Sequence, residues 1–153
     1  MSTDTAGHVA PPFSWPLRVY WEDTDAGGVV YHARYVAFME RARSEWLRSL
    51  GQQQETIRTG GGQVFVVRAM SLDFHRPARL DDLLEITVRL DQCRRASLVM
   101  TQEVRRGGEL LASAQVRLAA VSAADFRPIA IEAGLLACFQ QLVVQPESLR
   151  NEG

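Results

Sequence analysis

Three carboxylates fall within four positions in the run Glu22-Asp23-Thr24-Asp25-Ala26-Gly27-Gly28-Val29-Val30-Tyr31-His32, and a helical pattern begins directly after the paired glycines. A carboxylate in such a place can attack a carbonyl or activate water. Unpaired backbone N–H groups at a helix start, aided by the helix dipole, can receive the negative charge that develops on the carbonyl oxygen. Hydrolysis of a thioester needs those two parts within reach of one small ligand. Asp and Gly ahead of a helix also serve as a cap and a turn, and on spacing alone that is the simpler reading. Two features favour chemistry: three acidic residues exceed what a cap needs, and His32 follows Asp25 by seven positions at the helix start.

Composition narrows the remaining chemistry. All 17 basic residues are arginine, and the absence of lysine excludes Schiff-base catalysis, a lysine base and a Walker A phosphate loop. With 18 acidic residues the net charge is −1, so no overall positive field draws the chain onto nucleic acid or an anionic membrane. His8, His32 and His75 are scattered, with no HExxH and no cysteine cluster, so no metal and no other cofactor are expected. A GxSxG nucleophile elbow is absent. Cys93 and Cys138 lack CxxC spacing and no secretory apolar segment precedes them, which makes a reducing cytoplasm the expected setting. No apolar run approaches the roughly 20 residues that cross a bilayer.

At 153 residues, 46% of them hydrophobic, the chain fits one domain with a sizeable core. Residues 1–14 read as a disordered tail, residues 15–145 as the domain and residues 146–153 as a frayed end. A short strand over Leu17–Trp21 leads into the carboxylate run. A long helix over Tyr31–Leu50 follows, its stripe formed by Tyr31, Tyr35, Phe38, Met39, Ala42, Trp46 and Leu50, with Gly51 as its stop. Gln52–Gly62 reads as a flexible connection that can act as an active-site rim. Four strands are then expected at Val64–His75, Leu83–Cys93, Leu98–Arg106 and Leu110–Val121, with Gly107-Gly108 as a hairpin turn. Glu132–Leu142 reads as a short terminal helix weakened by Gly134. One strand, a long helix and four more strands give an α+β layout in which an antiparallel five-stranded sheet wraps a central helix.

The segment Tyr20–His32, followed by Tyr35-Val36-Ala37-Phe38 and Glu40-Arg41-Ala42-Arg43, closely resembles the YbgC-like acyl-CoA thioesterases associated with the Tol-Pal system. These belong to the 4-hydroxybenzoyl-CoA thioesterase branch of the hotdog-fold superfamily. The resemblance runs on through Phe65-Val66-Val67-Arg68, Pro77–Asp82, Ser97-Leu98-Val99 and Thr101-Gln102, and so covers about residues 17 to 122, in order. It implies a hotdog fold and hydrolysis of an acyl-CoA to free acid and CoA. The family's catalytic aspartate falls on Asp25 and its associated histidine on His32, with the helix-start backbone near Gly28 to His32 polarising the thioester carbonyl. Glu40 and Asp23 are the fallback carboxylates. Tyr31 and Tyr35 are candidates to line the acyl pocket or to pack in a core or interface.

For the CoA phosphates the candidates are Arg68, Arg94, Arg95, Arg105 and Arg106, because guanidinium binds phosphate in bidentate fashion. Arg68 ranks first, beside Val67, on the strand aligned with the family's ligand-facing edge. A sheet around one helix leaves an edge and an apolar face uncovered, so a homodimer, assembled further into a homotetramer, is expected. The resemblance also implies an inner-membrane or Tol-Pal association. Two other readings remain open at this level: a hotdog hydratase or dehydratase, and a non-catalytic acyl-CoA-binding or cell-envelope scaffold protein.

Overall fold

The computed structural model describes residues 12–51 and 62–143. Most of the expected N-terminal tail, nearly all of the 52–62 connection and the 146–153 end lie outside the described residues. Alternation builds the first strand, β1 (Phe13–Arg18), in which Phe13, Trp15 and Leu17 pack on the core while Ser14, Pro16 and Arg18 face out. This corrects two expectations. β1 begins inside the segment assigned to the tail, and the chain after it is not the strand expected over Leu17–Trp21. Instead Trp21–Asp23 forms a short 3-10 turn, because the Asp23 carboxylate folds back onto the Tyr20 N–H.

The long helix α1 spans Arg34–Ser49 and starts three residues later than expected. The reason is local: Val30 N–H is bonded to the Ala78 carbonyl and Tyr31 N–H to the Asp23 carbonyl, which holds this stretch extended until Arg34 N–H closes a turn on Tyr31. At the other end Gly51 takes the positive φ of 79° that stops the helix. The buried face consists of Tyr35, Phe38, Met39, Ala42, Arg43, Trp46 and Leu47.

Four strands follow close to the expected places: β2 (Gln63–Phe74), β3 (Leu83–Cys93), β4 (Ser97–Arg106) and β5 (Glu109–Ser122). Gly107 and Gly108, both at positive φ, turn β4 into β5. The five strands form one antiparallel sheet in the order β1-β3-β4-β5-β2. α1 lies over β3, β1 and β4. Beneath it Leu84, Ile86, Val88, Leu98, Met100 and Val104 are sealed from solvent. A terminal helix, α2 (Ala133–Leu142), starts one residue after Glu132, whose carboxylate caps Gly134 and Leu135 N–H; Phe139 stacks on Trp46 at 5.5 Å. Gly134 is tolerated because it lies in the first turn.

β2 is an edge strand. A bulge between Val67 and Ala69 leaves Arg68 as the extra residue, so Phe65, Val67, Met70, Leu72 and Phe74 share the inner side of the sheet. Although they face inward, Val67 stays 47% exposed and Phe74 52% exposed.

Candidate active site

The carboxylate run folds into a small hairpin between β1 and α1. Residues 24 and 30 bridge antiparallel, Val29 bridges Arg79, Asp25 N–H donates to the Val29 carbonyl at 2.9 Å, and Gly28 N–H closes a turn on the Asp25 carbonyl at 3.0 Å. Gly28 has φ of 79°, the left-handed position that a three-residue hairpin loop demands. Asp25 opens the turn, and its Oδ1 accepts the Gly27 N–H at 2.8 Å. A Cβ on residue 27 would stand 3.1 Å from that oxygen, so glycine there lets the carboxylate lie flat against the turn. Among the described residues Oδ2 has no hydrogen-bond partner, and Asp25 is exposed.

Asp23 has a different task. Only 4% of it is exposed. Its Oδ2 accepts from Tyr20 N–H at 2.8 Å, and its Oδ1 from Arg34 Nε at 2.9 Å and Nη2 at 2.7 Å. Its oxygens are therefore occupied in joining the hairpin to the first residue of α1. Between the hairpin and α1, His32 lies in the turn that precedes the helix, and its backbone N–H and that of Ala33 donate to no backbone carbonyl among the described residues. Donors thus stand free where the helix dipole is positive. The His32 ring is exposed, 4.5 Å from the Tyr31 ring and 6.4 Å from that of Phe74.

The other expected site residues separate. Tyr31 lies before the helix and is exposed, so it is not part of the buried stripe. Tyr35 is buried: its hydroxyl accepts the Ala78 N–H at 3.1 Å and its ring meets Phe74 at 5.5 Å. Burial pushes the Tyr35 phenol above its ordinary pKa, partly offset by that hydrogen bond. Val67 and Arg68 lie at the β2 bulge, about 20 Å along the strand from Phe74 at ~3.3 Å per residue. Among the described residues no contact joins them to His32. Glu40 is an exposed residue six positions past the start of α1, apart from the hairpin.

Among the arginines, Arg106 is committed to Asp82 at 2.6 Å and Glu109 at 2.5 Å, bonds that raise its pKa further, and Arg105 to Glu103 at 3.0 Å. Arg68, Arg94 and Arg95 are exposed and, among the described residues, have no acidic partner. Sequence reasoning missed three residues: Arg34, whose partner is 11 positions away; Phe74, which touches His32; and Arg43, buried with its Nη1 on Gln102 Oε1 at 2.9 Å. Gln102 in turn donates to the Met39 and Thr87 carbonyls. Burial lowers the Arg43 pKa. No periodic signal announces pairs that meet only across helix and sheet, though an arginine on an apolar helix face was a hint.

With this geometry in view, the likeness to known proteins is informative. Residues 27–113 match the model of the thioesterase superfamily. The chain belongs to that superfamily. The matched span begins two residues beyond Asp25. Over 130 residues the chain is 42% identical to the acyl-CoA thioesterase YbgC of Haemophilus influenzae, which covers 85% of this chain and 96% of the relative. It is 47% identical, again over 130 residues, to the acyl-CoA thioester hydrolase YbgC of Escherichia coli O6:H1, covering 84% and 96%. A probable thioesterase from Bartonella henselae superposes with a TM-score of 0.77 at 38% identity, over 80% of this chain and 100% of that one. The architecture is the hotdog fold, an antiparallel sheet wrapped on a helix. Among the described residues no helix is long and apolar enough to cross a membrane.

Proposed function

We propose that this thioesterase hydrolyses acyl-CoA to the free acid and CoA, with Asp25 as nucleophile or general base and the backbone N–H at His32 as donor to the thioester oxygen. The observation that carries the reading is the state of the Asp25 carboxylate: one oxygen is held by Gly27 and, among the described residues, the other has no hydrogen-bond partner, on a hairpin that leads straight to helix-start N–H groups that donate to no backbone carbonyl among those residues. Oδ2 is the reacting oxygen. The relatives' acyl-CoA activity supports the substrate class. Arg68, Arg94 and Arg95, which lack acidic partners among the described residues, are the candidates for the CoA phosphates; the pantetheine arm separates phosphates from thioester, so they need not adjoin Asp25.

The same reading extends to assembly and setting. β2 presents a 12-residue edge with exposed Val67 and Phe74 on its inner side, and a second copy of the chain paired along it gives a homodimer that closes the pocket beside His32. Two such dimers form the tetramer. A cytoplasmic enzyme working beside the Tol-Pal envelope machinery at the inner membrane is supported by the resemblance of residues 20–32.

Substituting Asp25→Asn tests the core of this. The release of CoA thiol should fall by about 10²–10⁴-fold, the size expected for loss of a catalytic base or nucleophile, with circular dichroism unchanged. A rate equal to wild type would sink the reading and favour a binding or scaffold protein. In a single turnover in ¹⁸O water, label in the Asp25 carboxylate marks an anhydride intermediate opened at the aspartyl carbon.

A further inference from the structure

Asp25 and the His32 backbone sit on different segments, and something must fix the gap between them. Asp25 is two residues after Asp23, and His32 is two residues before Arg34, so the two reacting groups hang from the two ends of one ion pair. That pair is well fastened. The Asp23 side chain is only 6% exposed and holds Tyr20 N–H as well as the Arg34 guanidinium, while the Asp23 carbonyl holds Tyr31 N–H at 2.9 Å. Arg34 is braced from behind by the sealed Phe38 ring, 5.9 Å from its guanidinium carbon. Each reacting group therefore has a lever arm of only two residues, about 7 Å at full stretch. Loosening the pair moves both.

We propose that Asp23 and Arg34 are the positioning pair of this thioesterase, holding the Asp25 carboxylate at its working distance from the helix-start donors without touching substrate. The inference rests on the Asp25 reading and adds a cause for its geometry. A misplacement of about 1 Å costs on the order of 10²-fold in rate, and the loss falls on the chemical step rather than on substrate binding. A pair that only stabilises the fold would instead lower the melting temperature and leave kcat of the folded protein alone.

The test uses the full chain with an acyl-CoA that the wild type hydrolyses, and follows CoA thiol release well below the melting temperature. Arg34→Gln and Asp23→Asn are expected to lower kcat at least tenfold while KM stays within about threefold. Arg34→Lys, which keeps the charge but not the fork, should fall between Arg34→Gln and wild type, and it guards against a Gln or Asn variant that fails to fold. In an Asp25→Asn background, adding Arg34→Gln should cause no further loss. A wild-type kcat in both Arg34 variants, a KM-only effect, or an undiminished second loss in the Asp25→Asn background would overturn the positioning pair. Wild-type activity of Asp25→Asn alone would instead overturn the Asp25 reading.

Discussion

The middle of the sheet and its β2 edge carry the same alternating apolar pattern and meet different fates. Under α1, the inner residues of β3 and β4 are sealed: Ile86, Met100 and Val104 expose nothing, and even the polar Gln102 is wholly buried with its hydrogen bonds made. At the β2 edge the inner residues Val67 and Phe74 are about half exposed. Propensity does not separate them. What differs is cover, because α1 lies over β1, β3 and β4 and α2 adds to β3. The difference teaches that the chain seals its core where α1 lies and leaves the inner side of the β2 edge half open. On that half-open side the exposed Phe74 ring stands beside His32.

That contrast can be broken or sharpened by substitution. The largest effect is expected for Phe38→Ala in the sealed region, where removing a ring that meets Tyr35 edge-on at 6.0 Å should cost ~3–5 kcal/mol in urea unfolding. Next comes Gln102→Leu, which leaves the Arg43 guanidinium and the Met39 and Thr87 carbonyls without their partner; a loss of ~1–3 kcal/mol is expected. At the open end Val67→Asp should change the subunit's unfolding free energy by no more than ~0.5 kcal/mol, yet shift sedimentation from dimer to monomer. A wild-type chain that already sediments as a monomer at micromolar concentration would remove the reason offered for the open edge.

The smallest effect concerns α2, which adds cover to the sealed region at β3. Two backbone N–H bonds, from Gly134 and Leu135, hold the Glu132 carboxyl below its ordinary pKa. The ionised cap therefore stabilises α2 at neutral pH, above the unfolded value, and that contribution is lost as pH falls through the lowered folded value. The melting temperature of Glu132→Gln should lie slightly below wild type at pH 7, and the two should converge in acid. A gap that is unchanged by pH would show that the cap acts without its charge.

Much of this was legible from residue types. Alternation in Leu84, Ile86, Val88 and Leu90 and the paired glycines at 107–108 locate β3 and the β4–β5 turn, because period and turn chemistry are local properties. The site was legible in part. Asp25, two glycines and a helix start are adjacent in the chain, so residue types alone mark them as a candidate site. The start of α1 was misread at Tyr31 because its N–H is claimed by Asp23 and its predecessor's by Ala78, bonds that the helical period does not encode. β1 was misread for a similar reason: the Asp23 side chain turns the chain at Tyr20, where apolar Tyr20 and Trp21 suggested continuation.

By itself the sequence determined the α+β layout, the strand faces, the glycine-rich turn after Asp25 and the resemblance that singles Asp25 out. Tertiary structure alone decided which carboxylate stays free. Asp23 and Asp25 are alike in type and two residues apart, yet Asp23 is buried against an arginine 11 positions on, and Asp25 is left at the surface with one oxygen that has no hydrogen-bond partner among the described residues. Local chemistry makes both candidates. Burial and the placement of Arg34 separate them, and those depend on where α1 settles on the sheet.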